Sequence, residues 1–210
     1  MKQIDRSPIH KHSLKPFLNC IDHSVSKKVF SIYKDEESEL LITTPRPLDQ
    51  ELSLYYESDN YISHTDAKKS FVDKIYKFVR SYTLKRKLKL ISTLSNGYHT
   101  ILDVGTGTGD FLAICKKNGW KIKGVEPNNK ARNIAESKTG MHVVSDINDI
   151  SSDRFDVITM WHVLEHVPNL KSYINSLKKL LKENGTLIVA VPNYKSYDAK
   201  HYKQFWAAYD

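Results

Sequence analysis

Apolar and polar positions divide the 210-residue chain into stretches of different period. From position 100 onward, short apolar runs recur: TILDVG at 100–105, KIKGVE at 121–126, HVVSD at 142–146, FDVITM at 155–160 and GTLIVAVP at 185–192. Segments of helical length separate them. Runs of this kind predict strands, and their alternation with helices predicts an α/β fold, a doubly wound, mostly parallel sheet joined by right-handed crossovers. The clearest helix spans 169–182, with Leu170, Ile174, Leu177, Leu180 and Leu181 on one face, Pro168 at its start and Gly185 just past its end. Between Thr65 and Leu94 the period is again helical. Phe71, Ile75, Phe78, Val79 and Tyr82 form one stripe, Leu84, Leu88, Ile91 and Leu94 a second, and Asn96 with Gly97 supplies a stop. This segment is read as one long helix or two joined near Ser81. Ahead of it the pattern is irregular, with VFSIY at 29–33 and LLIT at 40–43 as short strands and TPRP at 44–47 as a turn. The expected organisation is an appendage or cap over 1–63, a helical segment packing on the core over 64–97, a core over 98–193 and a helical tail over 194–210.

Composition changes this picture little. At 40% apolar and 27% charged, the chain can build one full core. No run approaches the ~18 apolar residues of a membrane span, and the start, MKQIDRSPIHKH, lacks the apolar centre of a signal peptide. A cytoplasmic protein without a membrane partner is expected. The two cysteines, Cys20 and Cys115, are far apart in sequence; Cys115 falls on a predicted helix as a free, half-buried thiol, and no disulfide is expected. Formal charge is +8, with its densest run at Lys85, Arg86, Lys87 and Lys89. Because Leu84, Leu88 and Ile91 repeat through that run at helical spacing, it reads as a solvated helix face; nucleic-acid binding is the minority alternative.

Candidate chemistry centres on Gly105, Gly107 and Gly109, which follow a strand and open a helix, so that backbone can approach a ligand closely. An ordinary tight turn has the same look. The spacing separates ligand classes: a dinucleotide loop reads GxGxxG, and the position of its last glycine is here Asp110. A carboxylate at that helix N-terminus conflicts with a pyrophosphate, but not with a cofactor carrying a sulfonium and an ammonium. Glu126 ends the second strand, where it can accept from ribose hydroxyls, and Asp146 ends the third, where it can accept from an adenine amine with Ile147 packing on the ring. With Asp103, these acids are expected to converge on one crevice at the carboxyl ends of the strands.

DVGTGTG at 103–109, GVEP at 124–127, SDI at 145–147, FDVITMWHVLEHVPN at 155–169 and GTLIVAVPN at 185–193 together resemble the class I S-adenosylmethionine-dependent methyltransferases, within the small-molecule group that includes the ubiquinone-biosynthesis enzymes. The resemblance covers roughly 98–193. It implies a Rossmann-like fold with strand order 3-2-1-4-5, S-adenosyl-L-methionine as cofactor with S-adenosyl-L-homocysteine as product, and a small-molecule acceptor, in a monomer or homodimer. It places Asp103 and the loop (Gly105, Thr106, Gly107, Gly109, Asp110, Phe111) at the methionine part, Glu126 with Pro127 at the ribose, and Asp146 and Ile147 at the adenine. Met160, Trp161 and His162 then form the wall where cofactor meets acceptor. His162 is the first candidate general base and His166 the second, because an unperturbed imidazole titrates near neutrality.

His162, Glu165 and His166 also spell HxxEH, an inverted zinc-protease signature. The motif starts directly off a strand and Pro168 interrupts any long helix, so no metal is expected. The segment 40–66 resembles the region ahead of the catalytic domain in a bacterial subgroup that often carries a zinc ribbon; Cys20 alone stands where paired cysteines would be, so no zinc is expected there either. Tyr56, Tyr61 and His64 are candidates for a cap reaching the cofactor, or for packing aromatics. Members of the class finish with an antiparallel hairpin beyond the fifth strand, and YDAKHYKQFWAAYD at 197–210 stops short of it. The expectation is a shortened form whose fifth-strand edge is covered by a helix at about 198–208 or by a partner subunit. Two alternatives remain: a nucleic-acid methyltransferase, although MWHV at 160–163 is unlike the Asn/Asp-Pro-Pro-aromatic segment of amino-methylating DNA enzymes, or a cofactor-binding domain without turnover.

Overall fold

The computed structural model describes residues 1–23, 25–48, 51, 71–95, 97, 99–150 and 153–209, without the side chains of 71–74 and 76. Tyr56, Tyr61 and His64 lie outside the described residues. The chain forms two compact units, Met1–Ser58 with Pro192–Asp210, and Asp59–Val191.

In the first unit, β1 (Lys15–Ile21), β2 (Val29–Lys34) and β3 (Leu41–Thr43) make an antiparallel sheet in that order. Cys20, Phe30 and Ile32 fill its small core, and the Cys20 thiol lies 3.1 Å from the Tyr209 carbonyl. Asp35 is buried and accepts from the Ser7 and Ser38 hydroxyls, which hold its carboxyl well below the usual range. Among the described residues of the tail, the only helix longer than one turn is α5 (Tyr197–Tyr202), shorter than the 198–208 read from sequence.

The second unit carries the sheet predicted from the apolar runs. Strands β4 (Thr100–Val104), β5 (Lys121–Val125), β6 (Phe155–Trp161) and β7 (Leu181–Ala190) are all parallel, in the order β5-β4-β6-β7. Side chains alternate between faces, as the period of a strand requires. Ile101 and Val157 join Ile91, Phe111, Leu112, Cys115, Trp120 and Ile122 on one side. Leu102, Val104, Ile158 and Met160 join Leu177 and Leu180 on the other. The covering helices are α1 (Phe71–Leu94), α2 (Asp110–Lys117), α3 (Asn129–Thr139) and α4 (Leu170–Leu180). Val104 pairs with Val125 on one side and Met160 on the other, so three strands end level and deliver their next residues to one edge. No described helix is long and apolar enough to cross a membrane.

Four expectations need correction. The run at 142–146 forms only a single bridge, Val144 to Val125, because Asp146 leaves the strand direction to cap a turn at Ile147–Asp149. The helix read over 169–182 ends at Leu180, and β7 begins at once; a Cβ on Gly185 would stand 2.9 Å from the Phe155 carbonyl, so the glycine permits a close approach within the strand. Cys115 is fully rather than half buried, and burial pushes its thiol up to about 12. In α1 only the second apolar stripe is covered, through Leu84, Leu88 and Ile91 against the core; Ile75, Phe78, Val79 and Tyr82 stay at least half exposed. The long segment is otherwise one continuous helix across the described residues.

Candidate functional site

Gly105, Gly107 and Gly109 all adopt left-handed backbone (φ 70°, 55° and 78°), a region costly to residues with a Cβ. Each serves differently. A Cβ on Gly105 would run into the Val163 side chain, and one on Gly109, the N-cap of α2, would fall 2.8 Å from the Ala135 backbone in α3. At Gly107 a Cβ would meet nothing within 4 Å. Two glycines therefore let protein pack against the loop, and the middle one leaves open space.

Glu126 is buried directly after β5. One carboxylate oxygen accepts from the Gly107 N–H at 2.7 Å and the other from the Asn128 N–H at 2.9 Å, while Asn128 caps α3 through the Ala131 N–H. Burial raises its pKa against these bonds. Each oxygen keeps a second lone pair, so Glu126 can brace the loop and still accept from a ligand hydroxyl. Pro127 beside it is exposed, its carbonyl accepting from Arg132.

Asp103 is placed differently from the crevice-facing acid expected. It is 2% exposed, accepts from the Thr159 hydroxyl at 2.6 Å, and burial pushes its carboxyl up to about 6. It belongs to the floor under the loop. A raised folded pKa means stability present below the ordinary value of 3.8 and lost as pH rises through about 6, about 3 kcal/mol in all. Urea denaturation of the ligand-free protein should show that loss between pH 4 and 6, and Asp103→Asn should remove it.

Asp146 is exposed and occupied as a cap, accepting from the Asn148 N–H at 2.7 Å, while Ile147 packs into the core beside Val125 and Val144. Met160 is likewise fully buried and forms no wall. Asp110 pairs with Arg80 of α1 and with Lys138 of α3 at 2.8 Å, and accepts from the Thr108 hydroxyl. Its carboxylate, already doubly paired, holds the helix N-terminus that a pyrophosphate would need. Phe111 and Trp161 meet edge to face at 5.8 Å, and the Trp161 Nε1–H is buried without a hydrogen-bond partner.

Two residues of α1 went unnoticed as site residues. Arg80 and Lys87 line, with Thr106, Thr108, Asp110 and Phe111, a cavity of about 410 Å³ against the loop. The Lys87 ammonium stands 4.2 Å over the Trp161 ring and 5.9 Å from that of Phe111, and burial lowers its pKa while Asp103 opposes the shift. The signal was present: Lys87 lies three positions after Leu84 and four before Ile91, on the apolar stripe, whereas Lys85, Arg86 and Lys89 are exposed as expected.

After β6 the chain turns at His162, a left-handed residue (φ 58°) whose N–H donates to the Ala190 carbonyl at the end of β7. Glu165 and His166 follow on a 3₁₀ turn, Leu164–His166. The two histidines of HxxEH therefore do not share an α-helical face. No group of three or more His, Cys, Asp or Glu side chains among the described residues is placed to hold a metal ion.

A methyltransferase domain family model matches residues 76–210. Curated relatives include the ubiquinone biosynthesis O-methyltransferases of Hydrogenovibrio crunogenus, 32% identical over 47% of this chain and 45% of the relative, and of Actinobacillus pleuropneumoniae, 33% identical over 51% and 52%. The chain spans about half the length of these relatives. Among solved structures, the magnesium protoporphyrin IX methyltransferase of Synechocystis, determined with bound S-adenosylhomocysteine, matches with a TM-score of 0.56 at 16% identity, over 74% of this chain and 77% of that one, a likeness of fold. With a family model covering more than half of its length, the chain belongs to the methyltransferase domain family.

Proposed function

We propose that this chain binds S-adenosylmethionine and transfers its methyl group to a small-molecule acceptor. The observation that carries the reading is the open space at Gly107, a residue whose N–H is held by the Glu126 carboxylate, between Thr106 and Thr108 of the cavity that Lys87 lines. The donor set fits this cofactor: a buried acid for ribose hydroxyls, an ammonium without a carboxylate in hydrogen-bond contact for an amino-acid carboxylate, and an unpartnered indole N–H. Asp146 and Ile147 would contribute at the adenine edge, the former by its exposed carboxylate. The inward turn of Lys87 takes one charge out of the basic run, which weakens the nucleic-acid alternative.

The cofactor supplies an electrophilic methyl carbon on sulfonium. The protein aligns the acceptor with it and excludes water, for which the Trp161–Phe111 pair and the buried loop floor are suited. The naming of the relatives as O-methyltransferases supports a hydroxyl acceptor, which benefits from a base as its oxygen attacks. His162, at the strand end level with the loop, is the residue we assign to receive that proton. His162→Ala should lower kcat about a hundredfold in a labelled-methyl transfer assay and leave the Kd for S-adenosylhomocysteine within twofold. Full turnover in the variant would reject the assignment.

A further inference from the structure

We propose that Glu165 is the positioning residue that fixes His162 as its Nδ1–H tautomer, leaving Nε2 free to take the acceptor's proton; this rests on the assignment of His162 as base. His162 is the one non-glycine residue in left-handed backbone among the described residues of the second unit. Such strain persists where the surroundings over-determine it. Here they do so from both sides: the His162 N–H is held by the Ala190 carbonyl at 2.9 Å, and the next side chain, Val163, fills the space that the missing Cβ of Gly105 leaves.

The turn that follows is held by the His166 N–H on the Val163 carbonyl and the Val167 N–H on that of Leu164. It returns the Glu165 carboxylate to 3.6 Å from His162 Nδ1. The carboxylate is 23% exposed and the imidazole 66%, so the acid is the more covered member of the pair and most of the ring surface is open. A carboxylate at Nδ1 favours a proton there and makes Nε2 the acceptor. His166, the other imidazole beside Glu165, is pushed down by burial, which favours its neutral form, while the Glu165 charge opposes that shift. As the acceptor oxygen bonds to the methyl carbon, the carbon–sulfur pair stays on sulfur, the hydroxyl proton passes to Nε2, and the imidazolium so formed lies against the Glu165 carboxylate.

The test is ¹⁵N NMR of histidine-labelled protein, with His162→Ala used to assign the His162 signals, on the wild type, Glu165→Ala and Glu165→Gln. Calorimetry with S-adenosylhomocysteine serves as a check on folding. The proposal expects the Nδ1–H tautomer in the wild type and the ordinary Nε2–H preference in Glu165→Ala. It also expects kcat in that variant to fall about ten- to hundredfold at unchanged KM for the cofactor. Glu165→Gln, whose amide oxygen keeps a partial negative charge toward Nδ1, should keep the tautomer and recover part of kcat. An identical tautomer in all three proteins would overturn the positioning role. Tautomer control by Glu165 together with full turnover in His162→Ala would instead reject the base assignment and leave the positioning intact.

Discussion

Gly109→Ala should unfold the second unit at markedly lower urea concentration, while Gly107→Ala should lose less stability and bind the cofactor weakly. Both positions require left-handed backbone, a conformation that costs an alanine about 1–2 kcal/mol. Their surroundings separate them. The methyl group of Gly109→Ala would lie 2.8 Å from the Ala135 Cα, an atom fixed in the backbone of α3, so the helix itself must shift. Overpacking of this kind adds about 1–3 kcal/mol, for a total loss of roughly 2–5 kcal/mol. The methyl group of Gly107→Ala meets no protein atom within 4 Å and projects into the space assigned to the ligand. Its expected signature is a loss of about tenfold or more in S-adenosylhomocysteine affinity with a stability loss limited to the about 1–2 kcal/mol of the left-handed backbone. Equal urea midpoints for the two variants, or full affinity in Gly107→Ala, would show that the loop does not divide its glycines between packing and binding.

Lys87→Met should weaken S-adenosylhomocysteine binding by about thirtyfold and leave 5′-methylthioadenosine, which lacks the amino-acid portion, within twofold. The physical basis is the placement of a half-buried ammonium against two aromatic rings, with its partial desolvation only in part offset by the buried Asp103. A carboxylate entering the cavity lined by Lys87, Arg80 and Thr108 would find a cation whose hydration is already partly removed, and such pairs contribute about 2–5 kcal/mol when one partner is truncated. Arg80 is the less suitable partner because Asp110 already engages it. Calorimetric titration of both nucleosides against wild type and variant separates the cases: an equal loss for the two ligands would assign Lys87 to the fold rather than to the carboxylate.

Legibility in the sequence followed burial. Strands β4, β5 and β6 carry buried side chains and stood out as apolar runs, whereas β7, none of whose residues is fully buried, was read from the run GTLIVAVP alone, and the glycine loop was located by the strand before it and the helix after it. The run HVVSD misled because Val143 and Val144 are buried and β-branched, yet Asp146 stabilises a cap better than a ladder position. Glu126 was placed correctly at its strand end, but its bonds to Gly107 and Asn128 N–H groups depend on tertiary contact and have no local signal. Asp103 likewise depends on tertiary contact: Thr159 from the neighbouring strand donates to it in the interior, which no local signal announces. Lys87 was hidden by composition, one basic residue among four, although its spacing from Leu84 and Ile91 marked it as the one turned inward. The turn at His162 could not be read at all, since nothing in MWHVLEH announces a left-handed histidine.

Cofactor identity is decided most directly by isothermal titration of the purified protein with S-adenosylhomocysteine, and in parallel with NAD, at neutral pH. The cofactor assignment predicts saturable binding of S-adenosylhomocysteine at one site, weakened about tenfold or more in Gly107→Ala, with no heat from NAD because Asp110 and its two cations already fill the helix N-terminus a pyrophosphate would need. Saturable binding of NAD with none of S-adenosylhomocysteine would contradict it.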